Sequence, residues 1–91
     1  DAFDCSGLTM RAYGAAGVKM RHWSGFQYAD FPRVSLQALL PGDLIFWGPN
    51  GSEHVGIYIG EGLMINAPHT GDVVKVAPVW ANPMGATRPW L

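Results

Sequence analysis

His54-Val55-Gly56-Ile57-Tyr58-Ile59-Gly60-Glu61-Gly62-Leu63-Met64-Ile65-Asn66-Ala67 decides the fold. Two apolar, β-rich runs flank a Gly-Glu-Gly turn, which predicts an antiparallel hairpin whose register follows from packing. A two-residue loop at Glu61-Gly62 pairs Ile57 with Asn66 and drives the amide onto the face of Val55 and Ile59, burying a polar group. A three-residue loop, Gly60-Glu61-Gly62, with Gly62 in the left-handed conformation of a G1 bulge, pairs Ile59 with Leu63, Ile57 with Ile65 and Val55 with Ala67. That face is then wholly apolar. The other carries His54, Gly56 and Tyr58 and brings Asn66 opposite Gly56, diagonal to the His54 ring. The register that packs the core also builds a His–Asn pair, with Gly56 as clearance beside it.

Outward from the hairpin the pattern stays strand-like. Leu44 to Trp47 is a short apolar run, closed by the turn Gly48-Pro49-Asn50-Gly51-Ser52. Before it, Pro41-Gly42-Asp43 stops a short capped helical turn over 35–40. Thr70-Gly71-Asp72 leads into a strand over 73–77, and the tail over 80–91, with Pro83, Gly85 and Pro89, is expected to be irregular or at most a final edge strand. At the other end, Leu8, Ala12 and Ala15 recur at the spacing of one helical face. Asp4 is placed to cap this helix and Gly14 or Gly17 to end it. Over 18–33 no period is sustained, and Gly25, Pro32, Trp23, Phe26, Tyr28 and Phe31 suggest an irregular loop pinned by rings. A helix followed by consecutive antiparallel strands is an α+β layout.

Ninety-one residues, 48% apolar and 12% aromatic, make one small domain with a packed core. Six Lys+Arg against seven Asp+Glu give a net charge of −1, without the basic footprint that nucleic acid or an anionic membrane requires. No run approaches the roughly 18 apolar residues of a membrane span, and no basic-then-apolar leader opens the chain. Cys5 is the single cysteine, which removes any internal disulfide and any CxxC metal or redox motif.

Cys5 stands in the first turn of the predicted helix, where unpaired N–H groups and the helix dipole favour a thiolate. Taken alone, such a cysteine also reads as a small buried hydrophobe. His54, at a strand rim after a turn, supplies a candidate base, although an isolated histidine is most often a surface residue. With Asn66 orienting the imidazole, the three form a papain-type arrangement in which His takes the thiol proton and returns it to the leaving amine. His69 competes with Asn66 for the third place, and the packing of the hairpin puts it second. Cys5, His22, His54 and His69 lack ligand spacing for zinc, so neither metal nor cofactor is expected.

Four segments in order, Phe3-Asp4-Cys5-Ser6-Gly7-Leu8, Pro41-Gly42-Asp43-Leu44-Ile45-Phe46, His54-Val55-Gly56-Ile57-Tyr58-Ile59-Gly60 and Met64-Ile65-Asn66-Ala67-Pro68, resemble the NlpC/P60 family of bacterial cell-wall cysteine peptidases, actinobacterial members most of all. Residues 22–28 are similar to that family's substrate-groove stretch. The resemblance implies a papain-like α+β core, with the Cys-bearing helix packed on a small antiparallel sheet. It implies hydrolysis of peptidoglycan stem peptides between D-γ-glutamate and a diamino acid, in a secreted or wall-associated setting, by a monomer. By position, Cys5 is the nucleophile and a backbone oxyanion donor, His54 the base and acid, and Asn66 the orienting residue where many relatives carry His and some Glu. Asp4, Ser6 and Ser24 would shape the substrate pocket. The family segment that precedes Asp4 and holds a Tyr near the oxyanion site lies outside residues 1–91, so a single catalytic domain lacking that segment is expected. Two other readings remain: a stem-peptide binding module without turnover, and a thiol that senses redox through an intermolecular or small-thiol adduct.

Overall fold

Asp4 is extended (φ −83°, ψ 171°) and its Oδ1 accepts the Gly7 N–H at 2.6 Å, so the chain enters a helix at the next residue. This is α1, Cys5–Ala15. At its other end Gly17, at φ 87°, lets the Gly17 and Val18 amides return to the Gly14 and Tyr13 carbonyls at 3.1 and 2.9 Å. Both caps are those expected, but the inward face is not. Ser6 and Thr9 are buried and Met10 and Tyr13 half-buried, while Ala12 and Ala15 face solvent. The buried polar pair is matched by a partner that the loop reading of 18–33 did not contain.

That partner is a second helix. The computed structural model describes residues 2–67 and 72–91, and within them Ser24–Asp30 forms α2. Gln27, fully buried, donates through Nε2 to the Ser6 carbonyl at 2.9 Å and the Arg21 carbonyl at 3.0 Å, and its Oε1 accepts from Thr9 Oγ1. The fully buried residues of α2 are Ser24, Gly25 and Gln27, so the helix has no apolar stripe to read in sequence. Phe31, extended before Pro32, ends it. Over 35–40 there is only a turn, held by the Ser35 hydroxyl accepting the Gln37 N–H at 3.1 Å.

The strands are β1 (Ala2–Phe3), β2 (Arg33–Val34), β3 (Leu44–Trp47), β4 (His54–Gly60), β5 (Leu63–Asn66), β6 (Asp72–Val73), β7 (Lys75–Pro78) and β8 (Gly85–Thr87). Six form one antiparallel sheet in the order β2-β8-β3-β4-β5-β7, and β1 pairs separately with β6. The tail therefore does not stop at an edge. β8 lies between β2 and β3, because Ile45 and Phe46 pair with Ala86 and Gly85 on one side and with Gly56 and Val55 on the other.

The central hairpin keeps the expected Ile57↔Ile65 pair but reaches it differently. Glu61 (φ 56°) and Gly62 (φ 76°) make a two-residue turn of the kind that matches strand twist, Gly60 rather than Ile59 pairs with Leu63, and a bulge between Tyr58 and Gly60 absorbs the extra residue. β5 ends at Asn66, so the expected Val55–Ala67 pair is not part of the ladder.

Both faces of the sheet are covered. Leu44, Phe46, Val55 and Met20 form the cluster beneath the helices, against which Cys5, Met10, Tyr13 and Ile57 pack. Ile45, Trp47 and Met64 form the opposite cluster, with Leu39, Tyr58 and Val79. All four residues of β3 are accordingly buried. Asp43, fully buried, receives Arg88 Nε and Nη2 at 2.8 Å each and the Leu40 N–H at 2.8 Å, which pins the turn before β3 to the chain after β8. Gly56 is clearance for Met64: a Cβ there would stand 2.8 Å from the Met64 sulfur.

Candidate active site

Cys5 and His54 stand on two elements that pack together, α1 and β4, Cys5 against the face of the sheet that carries Val55 and His54 on the face that carries Trp47. Cys5 opens α1, half-buried, and packs on the cluster of Met20, Leu44, Phe46 and Val55. Val55 is followed backwards along β4 by His54, whose side chain alternates to the opposite pleat, where it is 5% exposed. There the imidazole lies between two indoles. Trp80 stacks on it at 4.4 Å between centroids and 17° between planes, and Trp47, its cross-strand partner, stands at 5.5 Å and 45°.

Asn66 ends β5 one residue beyond the Ile57↔Ile65 pair, where the β4–β5 ladder stops, and is 1% exposed. The expected hydrogen bond from the His54 ring is not made, since Asn66 Oδ1 accepts none. His69 lies outside the described residues. Among the described residues no group of three or more His, Cys, Asp or Glu is arranged to hold a metal ion, and no helix is long and apolar enough to cross a membrane.

Asp4 does two things. Besides capping α1 it faces His22, whose Nε2 stands 2.9 and 3.1 Å from its carboxylate oxygens. The hydrogen bond to His22, with help from the Gly7 amide, holds the Asp4 carboxyl below the usual carboxylate range despite partial burial. Ser6 is buried, and its carbonyl accepts from Thr9 Oγ1 at 3.0 Å and from Gln27 Nε2. Ser24, also buried, is the first residue of α2.

An exposed aromatic rim flanks Ser24. Trp23 and Phe26 meet edge to face at 4.8 Å, and the Arg21 guanidinium covers Phe26 at 3.9 Å while pairing with Asp30. Tyr28, expected on that wall, turns inward instead and packs on Phe46 at 5.3 Å.

Sequence reasoning missed two partners here. In the sequence His22 reads only as a poor metal ligand and as part of the groove stretch, although Asp4 reads as the helix cap. The indole box was half legible, because carrying the hairpin register across the Gly48–Ser52 turn puts Trp47 opposite His54. Trp80 follows β7 in an irregular segment and no local pattern points to it.

A model of the NlpC/P60 family matches residues 1–87. Peptidoglycan endopeptidase RipA of Mycolicibacterium smegmatis is 47% identical over 77 residues, which cover 85% of this chain and 16% of that protein. A solved RipA mutated at a glutamate matches with a TM-score of 0.89 at 43% identity, over 97% of this chain and 43% of that one. Two further RipA structures are mutated at a histidine and at a cysteine, and the three positions follow one another at the separations of Cys5, His54 and Asn66. RipD of Mycobacterium tuberculosis, a non-catalytic NlpC/p60 domain protein adapted to peptidoglycan binding, matches with a TM-score of 0.84 at 43% identity, over 94% of this chain and 66% of that one. The chain thus spans only a minor part of RipA.

Proposed function

The chain belongs to the NlpC/P60 family, and from that membership we propose that it hydrolyses peptidoglycan stem peptides at the D-γ-glutamyl–diamino acid bond in the bacterial wall. The observation that carries the reading is the placement of Cys5: a lone thiol at a capped helix N-terminus, packed on the sheet whose strand β4 begins with His54. Cys5 Sγ, its proton taken by His54, attacks the scissile carbonyl. His54 then gives that proton to the leaving amine, and water, activated by the same imidazole, releases the acyl group from sulfur. By the family resemblance the Cys5 amide, at the open N-terminus of α1, is one oxyanion donor. Asp4, Ser6 and Ser24 shape the pocket, with Trp23 and Phe26 at its rim.

RipD favours a second reading, in which the same groove holds the stem peptide without cutting it. One experiment separates them: mass spectrometry of defined muropeptides after incubation with the wild-type chain and with Cys5→Ala. New termini at the γ-glutamyl bond, absent with Cys5→Ala, establish the peptidase. Unchanged muropeptides that bind both proteins equally establish the binding module.

A further inference from the structure

The geometry points to Trp80 as the positioning residue of the His54 imidazole, an inference that rests on the peptidase reading above. Two rings at 4.4 Å and 17° are in parallel contact, so the indole fixes the plane of the imidazole and leaves its nitrogens, on the ring's edge, clear of the stack. The indole is itself held. Trp47 packs against both rings, at 5.5 Å from His54 and 5.4 Å from Trp80, and its Nε1 donates to the Ala81 carbonyl at 3.2 Å, the residue after Trp80. The chain from β7 toward β8 is thereby fastened to β3, and Trp80 with it.

Asn66 explains why a stacked ring matters at this position. A side-chain amide orients an imidazole only through a hydrogen bond, and Asn66 Oδ1 makes none. Stacking constrains the ring's tilt whichever group takes its N–H. Trp80 is 40% exposed, so it stands at the mouth of the box and not in the core, and its replacement removes the stack without emptying a packed interior.

The test compares Trp80→Leu and Trp80→Phe with wild type by three measurements: kcat and KM on a defined muropeptide, the rate at which iodoacetamide alkylates Cys5 without substrate, and the melting temperature. Trp80→Leu is expected to lower kcat and the alkylation rate together by roughly three- to tenfold, with KM and melting temperature nearly unchanged, and Trp80→Phe to recover most of both. Unchanged kcat and alkylation in Trp80→Leu overturn the inference. So does a rise in KM alone, which makes Trp80 a substrate wall, and so does a loss in both variants that tracks a falling melting temperature. If wild type shows no turnover while the alkylation difference persists, the peptidase reading fails and the positioning role stands.

Discussion

His22 Nε2 lies 2.9 Å from one oxygen of the Asp4 carboxylate and 3.1 Å from the other, so the residue that starts the Cys5 helix is also tied to the segment leading into α2. Two substitutions separate these roles. Asn caps a helix as well as Asp, so Asp4→Asn keeps the cap and loses the charge, whereas Asp4→Ala loses both and should cost about 1 kcal/mol. The carboxyl titrates below its ordinary value in the folded state, so its contribution is present above the unfolded value near 3.8 and is lost as pH falls through the folded one. The gap in melting temperature between wild type and Asp4→Asn should close as pH falls below about 4. A gap that persists at pH 2 assigns the effect to shape.

Arg88 carries a larger energetic responsibility. It meets Asp43 through two bonds of 2.8 Å, and Asp43 is fully buried. Arg88→Met leaves that carboxylate without its counter-charge and should cost about 3–5 kcal/mol, enough to unfold much of a small domain. Arg88→Lys, which keeps the charge but not the fork, should fall between. Urea titration of the three proteins checks the order, and equal midpoints would mean that the Leu40 amide suffices for Asp43.

What the sequence makes legible here is what local pattern controls. Asp4, the positive-φ Gly17 and the apolar alternation around Ile57 are local signals, and α1 and the hairpin register follow from them. The second helix escapes because Ser24, Gly25 and Gln27 face inward, and their burial is rewarded by hydrogen bonds to Ser6, Thr9 and Arg21 that hydropathy does not register. β8 escapes because three residues, Gly85 to Thr87, carry too little pattern to announce pairing with β2 and β3, which is wholly non-local. At the site, Cys5, His54 and Asn66 stand out through residue type and spacing, whereas the indole sheath around His54 depends on Trp80, brought in from an irregular segment.

The rim of the proposed groove has a glycine that can be tested. Trp23 lies over Gly25 so closely that a Cβ there would stand 2.6–2.9 Å from three indole carbons. Gly25→Ala must push the ring aside, and because Trp23 is 45% exposed the ring has solvent to move into. Stability should change by less than about 1 kcal/mol. If Trp23 borders the bound stem peptide, KM should rise severalfold at unchanged kcat. Unchanged KM removes Trp23 from the groove.

On the proposed peptidase reading, Asn66 decides how much of the catalytic power depends on orientation. Its oxygen is buried without a hydrogen bond, so an amide here gives the imidazole neither a charge nor, at rest, a fixed partner. An orienting bond formed only with substrate bound is worth about one neutral hydrogen bond, so Asn66→Ala should lower kcat by up to about tenfold with KM unchanged. If His54 carries the proton, as proposed, His54→Ala should cost about 10²–10⁴-fold. A carboxylate differs from the amide by stabilising the imidazolium, and RipA has a glutamate at the corresponding separation from its altered histidine. Asn66→Glu should therefore raise kcat above wild type, provided that the new charge pairs with the imidazolium and is not left buried alone. Turnover of one muropeptide by the three variants, with calorimetric binding to Cys5→Ala as the reference for intact recognition, measures the series. Asn66→Ala as damaging as His54→Ala would make the amide essential to proton transfer, and Asn66→Glu below Asn66→Ala would show that β5 does not hold a carboxylate within reach of the ring.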